Sequence, residues 1–201
     1  MTKIVLASGN KGKLTEFSQL FSPMKIEVVP QSDFKVPEAE EIGLSFVENA
    51  IIKARNAAHH TGLAAIADDS GIEVDALNGA PGIYSARYAG LNASDDENLH
   101  ALLTALQDVP DNERTARYQC LLVYMRHAED PTPLICQASW QGRILKSPIG
   151  EGGFGYDPIF WVPETECSAA ELTAEQKHAI SHRGKAIRQF IEEFKYGHCH
   201  T

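Results

Sequence analysis

Lys3-Ile4-Val5-Leu6-Ala7-Ser8-Gly9-Asn10-Lys11-Gly12-Lys13-Leu14-Thr15-Glu16-Phe17-Ser18-Gln19-Leu20-Phe21 changes its periodicity once. The β-branched apolar run from Lys3 to Ala7 breaks into a glycine-bearing hexapeptide. From Leu14 onward, Leu14, Phe17, Leu20 and Phe21 keep helical spacing. The pattern predicts strand, loop, helix. In such a loop Gly9 and Gly12 let the backbone approach an anion, and the N–H groups and helix N-terminus carry partial positive charge. Lys11 or Lys13 adds a full positive charge, so Ser8 to Lys13 can hold a phosphate. The glycines are too close together for a Walker A loop, and G-x-G-x-x-G is absent. An ordinary short βα turn accounts for the same residues.

Outward from this unit, Ile26-Glu27-Val28-Val29 reads as a second strand closed by Pro30. An acidic connector, Pro37-Glu38-Ala39-Glu40-Glu41-Ile42-Gly43, leads to Ser45 and Glu48, which have capping-box spacing. The helix that follows carries an apolar stripe of Val47, Ala50, Ile51, Ala54 and Ala58, and Thr61-Gly62 ends it. Its polar face, with Glu48, Asn49, Lys53, Arg55 and Asn56, reads first as a solvated surface. Lys53 and Asn49, one turn apart, are the two that can face a cleft.

Ala65-Ile66-Ala67-Asp68-Asp69-Ser70-Gly71-Ile72 is an apolar run that ends in two carboxylates, a hydroxyl and a glycine. Two readings stand side by side. Asp-Asp-Ser-Gly is turn chemistry, and it is also how a buried strand delivers charge to its tip. Neighbouring strand residues face opposite ways, so Asp68 and Asp69 take different jobs unless the strand bends. If the acidic connector lies beside this tip, Glu40 and Asp69 make a hard, oxygen-only site for Mg²⁺.

Further on, Ile72 to Leu77 alternates as a strand before the hairpin signal Asn78-Gly79. Pro81 to Gly90 is an irregular segment, and Ser94 with Glu97 opens a helix striped by Leu99, Leu102, Leu103 and Leu106. Thr115–Met125, Leu134–Trp140, Arg143–Leu145 and Ile159–Val162 are strand-like and imply a central mixed sheet. Between them Gly150-Glu151-Gly152-Gly153-Phe154-Gly155-Tyr156-Asp157-Pro158 mixes glycines with aromatics, a composition suited to a flat ligand stacked against closely approached backbone. Thr173 and Gln176 start a helical turn. Lys177, His182 and Arg183 then gather near the start of a last helix capped by Ser181, a natural site for an anion or a carbonyl oxygen. His198-Cys199-His200 reads as a frayed tail.

With 201 residues, 43% hydrophobic and 22% charged, the chain is expected to be one ordered domain, with or without a lobe. No apolar run reaches a membrane span and no secretory leader is recognised, so a cytoplasmic protein is expected. Four cysteines, Cys120, Cys136, Cys167 and Cys199, lack C-x-x-C spacing and read as reduced thiols. A net charge of −9 argues against broad nucleic-acid binding, although local lysines and a divalent cation can still attract a small polyanion.

Five stretches, in this order, resemble the motifs of the inosine triphosphate pyrophosphatase family, with its bacterial dITP/XTP-cleaving members. They are Ser8 to Lys13, Ala67 to Gly71, Pro81 to Tyr88, Gly153 to Pro158 and Ser181-His182-Arg183. The likeness runs from Lys3 to about Phe194. It implies an α/β fold with a long central mixed sheet and flanking helices, one domain spanning 1–201 as two lobes around a substrate cleft, and a homodimer. It also implies Mg²⁺-dependent cleavage of non-standard purine nucleoside triphosphates (ITP, dITP, XTP) to monophosphate and pyrophosphate. Carried onto this sequence, Ser8, Gly9, Asn10, Lys11, Gly12 and Lys13 would hold phosphate. Asp69 would accept a proton and, with Glu40 favoured over the adjacent Glu41, bind the metal, while Ser70 would touch substrate. Phe154, Gly155, Tyr156 and Asp157 would line the nucleoside pocket, and Lys177, His182 and Arg183 would complete it. A non-catalytic nucleotide sensor is the competing expectation, but it has no need of carboxylates beside a triphosphate.

Overall fold

Strand β1 (Thr2–Leu6) has Ile4, Val5 and Leu6 fully buried, as expected for a strand with parallel neighbours on both sides and helices over its faces. Those neighbours are β2 (Ile26–Pro30) and β3 (Ala64–Val74). Helix α1 (Lys11–Phe21) links β1 to β2, and α2 (Phe46–Thr61) links β2 to β3. The first crossover steps one way along the sheet and the second steps back past β1. Since parallel crossovers are right-handed, α1 and α2 fall on opposite faces. The structure computed from the sequence is a structural model that describes residues 2–198. Cys199 and His200 of the tail lie outside it, as does the side chain of Lys11.

Local sequence explains the helix ends. Asn10 caps α1, its side-chain oxygen accepting from Lys13 N at 3.0 Å, so the helix starts at Lys11, earlier than the apolar spacing from Leu14 implies. Ser45 caps α2, and the Glu48 carboxylate reaches back to the Ser45 hydroxyl and to Leu44 N. Gly62, at φ 66°, closes that helix in the left-handed region where a side chain would be strained. Both aspects of the acidic-to-helical transition were legible in the residues themselves.

The sheet continues through β4 (Thr115–Met125), β5 (Leu134–Ile144), β6 (Phe160–Val162) and β7 (Cys167–Ser168), in the order β2-β1-β3-β4-β5-β6-β7. Pairing is parallel at β1 and antiparallel from β5 to β7, so the sheet is mixed and the α/β class holds. Helices α3 (Asp95–Ala105), α4 (Ala174–Ile180) and α5 (His182–His198) complete the elements. Two expectations need correction. Asp68 and Asp69 do not end a strand, because β3 runs on through Ser70 and Gly71 to Val74. The strand read over Ile72 to Leu77 stops at Val74, and Asp75–Leu77 forms a 3₁₀ turn before Asn78-Gly79, with a single bridge from Glu73 to Pro81.

The chain divides into two compact units, and the division falls within β3, β4, β5 and α5. The first comprises residues 1–69, 121–137 and 189–201. Its core includes Ile4, Leu6, Ile66 and Leu122, with Phe17, Phe21, Phe190 and Phe194 in mutual ring contact. The second comprises residues 70–120 and 138–188. Its core is built on Ile72, Val74, Leu102, Leu106, Trp140, Ile159 and Phe160. Arg114, 2% exposed, pins this core from within by donating to the backbone carbonyls of Leu106, Val109, Ile144 and Leu145. A buried guanidinium has five N–H groups to satisfy, and these carbonyls accept four hydrogen bonds from it.

Candidate active site

The first unit gathers charge at the C-terminal end of β1, where parallel α/β sheets place ligands. Leu6 of β1 lies opposite Ile66 of β3, and Ala7 N donates to Ile66 O at 2.8 Å. Beyond that point β1 turns into the Ser8-Gly9-Asn10 loop while β3 carries on to Asp68 and Asp69. The loop is tied down locally, with Asn10 N donating to Ser8 Oγ at 3.1 Å.

The two aspartates meet different lysines. Lys13 Nζ, from α1, is 2.7 Å from Asp68 Oδ1, a carboxylate with no solvent exposure. Lys53 Nζ, from α2, is 2.5 Å from Asp69 Oδ1 and 3.5 Å from Glu41 Oε1. This is the opposite-face arrangement that strand alternation and the two crossovers require together. Lys53 therefore leaves the solvated face on which Arg55 remains exposed. Asn49, one turn before it, is fully buried and accepts from Gly43 N at 2.8 Å, holding the acidic connector to α2. A β-carbon on Gly43 would come within 2.7 Å of that Asn49 oxygen, so the close approach demands glycine.

Burial pushes the Asp69 carboxyl above its ordinary range. The Lys53 ammonium pulls it back, and the Glu41 and Asp68 charges push it further up. A carboxylate moved in this direction is a stronger base than one in water. With Glu41 and Asp68, Asp69 makes three carboxylates against two ammonium groups, Lys13 and Lys53. The carboxylate excess and the all-oxygen donor set suit a hard divalent cation. Among the described residues no group of three or more His, Cys, Asp or Glu side chains is arranged to hold a metal, so substrate oxygens and water would have to complete its shell. The acidic neighbour that the structure draws toward Asp69 through Lys53 is Glu41. Glu40 is exposed, and its backbone carbonyl accepts from Ile42 N at 3.0 Å.

The second unit holds the aromatic and cationic residues. Gly153, at φ 75°, sits where a β-carbon would strike the Asp157 carboxylate. That closeness lets Phe154 N donate to Asp157 Oδ2 at 2.8 Å. The same oxygen takes the Lys177 ammonium, and Asp157 Oδ1 lies 3.3 Å from the Tyr118 hydroxyl. Burial, and then the Asp157 charge, push the Tyr118 phenol well above its ordinary pKa, so the hydroxyl stays protonated and donates. Lys177 Nζ lies 4.3 Å and Arg183 Cζ 5.8 Å from the centre of the Phe154 ring, within cation–π range.

Of the two rings in the loop, Phe154 is 56% exposed, whereas Tyr156 is 5% exposed and donates its hydroxyl to Ser85 O at 2.7 Å. Phe154 is thus the ring available to a ligand, and Tyr156 is a core wedge. Gly155 N is held by Asp95 Oδ2 at 2.8 Å. Ser85, inside the Pro81–Tyr88 stretch, accepts from Ile72 N at 2.9 Å and so braces β3. Lys53 is marked in the sequence by its position one turn beyond Asn49, and Glu41 as the neighbour of the favoured Glu40; Tyr118 carries no such signal.

The family model described as the Ham1 family matches residues 4–193. A dITP/XTP pyrophosphatase of Vibrio cholerae is 62% identical over 192 residues, 96% of each chain. One from Escherichia coli O157:H7 is 58% identical over 98% of this chain and 100% of its own. Among solved structures, a HAM1 protein from Coxiella burnetii superposes with a TM-score of 0.93 at 50% identity, covering 98% of this chain and all of that one. The α/β architecture is common to this chain and that structure. The chain belongs to the Ham1 family.

Proposed function

We infer that this chain is a nucleoside triphosphate pyrophosphatase that removes non-standard purine nucleotides, ITP, dITP and XTP, by releasing the monophosphate and pyrophosphate. The observation that carries the reading is Asp69, a buried carboxylate with raised pKa facing Lys53, in a chain about 60% identical to proteins named dITP/XTP pyrophosphatases.

In this reading Ser8 to Lys13 and Lys53 receive the phosphates through backbone N–H groups and ammonium charge. Asp69 Oδ1 is engaged by Lys53, which leaves Oδ2 to take a proton from the attacking water. Attack at the α-phosphorus breaks its bond to the bridging oxygen, and pyrophosphate leaves. Mg²⁺ would be held by Asp69 with Glu40 or its neighbour Glu41, and when bound it neutralises phosphate oxygens. Asp68 keeps Lys13 in place, and Ser70, next along β3, touches substrate.

The base falls to Phe154, which stacks, with Gly155, Asp157, Lys177, His182 and Arg183, while Tyr156 supports the pocket from the core. Donors from Lys177, His182 or Arg183 favour the 6-oxygen of hypoxanthine and xanthine, whereas the 6-amino group of adenine would leave them unpaired. The reading extends to a cytoplasmic homodimer, and the net charge of −9 supports the lack of a nucleic-acid partner. Among the described residues no helix is long and apolar enough to cross a membrane.

One assay tests it. The protein is incubated with Mg²⁺ and ITP, dITP, XTP, GTP or ATP, and pyrophosphate and orthophosphate are measured separately. Pyrophosphate from the first three with little from ATP is expected. Binding without product would make the protein a sensor, and orthophosphate as first product would make it a general phosphatase. Comparing Glu40→Gln with Glu41→Gln for their Mg²⁺ requirement then separates the two acidic candidates.

A further inference from the structure

Tyr118 belongs to none of the recognised motifs, yet it touches both groups of base-reading donors. Its hydroxyl reaches Asp157 Oδ1, and Asp157 holds Lys177. Its ring lies 4.7 Å from that of His182 with an interplanar angle of 8°, a parallel stack. Phe160 packs on Tyr118 at 4.7 Å and Trp140 lies 6.2 Å away, nearly parallel, so the ring is fixed from below. Its hydroxyl is engaged by Asp157 and its ring is packed by Phe160, Trp140 and His182, so Tyr118 acts on a ligand through these neighbours.

We propose that Tyr118 is a positioning residue for base recognition, setting Lys177 through Asp157 and His182 through ring stacking as one unit. The proposal rests on the purine-nucleotide reading above. Lysine carries its charge on a flexible four-carbon stem, and its direction is undetermined unless something anchors it. Asp157 is such an anchor only while its own two oxygens are fixed. Oδ2 is fixed by Phe154 N, and Oδ1 by Tyr118. Because the same ring supports His182, the spacing between the two donors is set by one rigid aromatic side chain and not by two loops. Donors at a set spacing recognise one pattern of acceptors and leave partners unmatched on another base.

The test uses Tyr118→Phe, which keeps the stack and removes the hydroxyl. Affinity for IMP is measured by calorimetry without metal, alongside KM and kcat for ITP. In the wild-type background IMP affinity is expected to fall about ten-fold, the lower end for loss of one hydrogen bond to a charged group, with KM raised and kcat little changed. In a Lys177→Met background the same substitution should change IMP affinity less than about two-fold, because its effect travels through Lys177. A merely structural tyrosine would instead cost the same in both backgrounds, and that result, or unchanged IMP binding, overturns the proposal. Melting curves establish that the variant folds. If it does not, Asp157→Asn, which keeps shape and removes the ion pair, carries the same expectation for IMP. Wild-type protein that neither binds IMP nor cleaves ITP would instead sink the functional reading, and this proposal with it.

Discussion

The lysine–aspartate pairs of the first unit and the aromatic cluster of the second both hold ammonium groups against buried carboxylates, but they hold them differently. Lys13 and Lys53 are 19% and 16% exposed, and each meets its aspartate with no ring nearby in the described contacts. Lys177, 17% exposed, sits between Asp157 and the face of Phe154. Charge facing charge suits a polyanion whose own charge shifts as it reacts. Charge set against a π-face suits a flat neutral base, where orientation matters more than field. The proposed function places rate with the first cluster and recognition with the second.

The largest expected break in that contrast is Asp69→Asn. Pyrophosphate release from ITP should drop by roughly 10² to 10⁴ while IMP affinity stays near wild type. Near-full turnover would remove Asp69 from the chemistry. Next comes Phe154→Ala, where loss of stacking should weaken IMP by about 1–3 kcal/mol, roughly five- to 150-fold. The thermal midpoint should hardly move, because the ring is already exposed. An unchanged IMP affinity would deny Phe154 its role.

A smaller effect separates the lysines by stability. Lys13→Met strands the fully buried Asp68 carboxylate and should lower unfolding free energy by about 1–3 kcal/mol. Equal stability in urea titrations would show that the remaining contacts of Asp68 suffice. The smallest is a pH effect. Asp69 has a folded pKa raised above its unfolded value, so its contribution favours folding below the unfolded pKa and is lost as pH rises through the folded one. Asp69→Asn should therefore gain stability relative to wild type between mildly acidic and neutral pH. Asp130 runs the other way. The Arg126 guanidinium holds its carboxyl far below the usual range, so its stabilisation is present above the unfolded pKa and fades as pH falls. Asp130→Asn should flatten the acid limb of a melting-temperature profile, and an unaltered limb would discount the pair.

Much of this architecture was readable from local signals. Ser94 with Glu97 and Thr173 with Gln176 form full capping boxes at α3 and α4, and Asn10 and Ser45 cap the helices their neighbours suggested. Pairing across the sheet was not local and read less well. Asp68-Asp69-Ser70-Gly71 has poor strand propensity, yet its place in the sheet keeps it extended. β7, two residues long, leaves no periodicity to detect. At the site, the glycine-rich and charged loop stretches stand out in the sequence, whereas the residues that hold them stand out less. Lys53 lies 16 residues before Asp69 on a helix whose polar face looked solvated, and Tyr118 lies 39 before Asp157 in an otherwise ordinary strand. Such partners are chosen by the fold, and a single sequence does not mark them.

The unbroken run of β3 through Asp68 and Asp69 also bears on how this chain can tolerate changes in length. One residue added between Ile66 and Asp68 would invert the parity of everything after it, turning Asp68 toward the α2 side and Asp69 toward the α1 side. Every residue type would survive and each lysine would face the wrong carboxylate. Two added residues would restore the parity while displacing both carboxylates along the strand. Insertions within this strand should therefore be tolerated by neither count, whereas the exposed stretch at Glu164 to Glu166 places no such condition on its length.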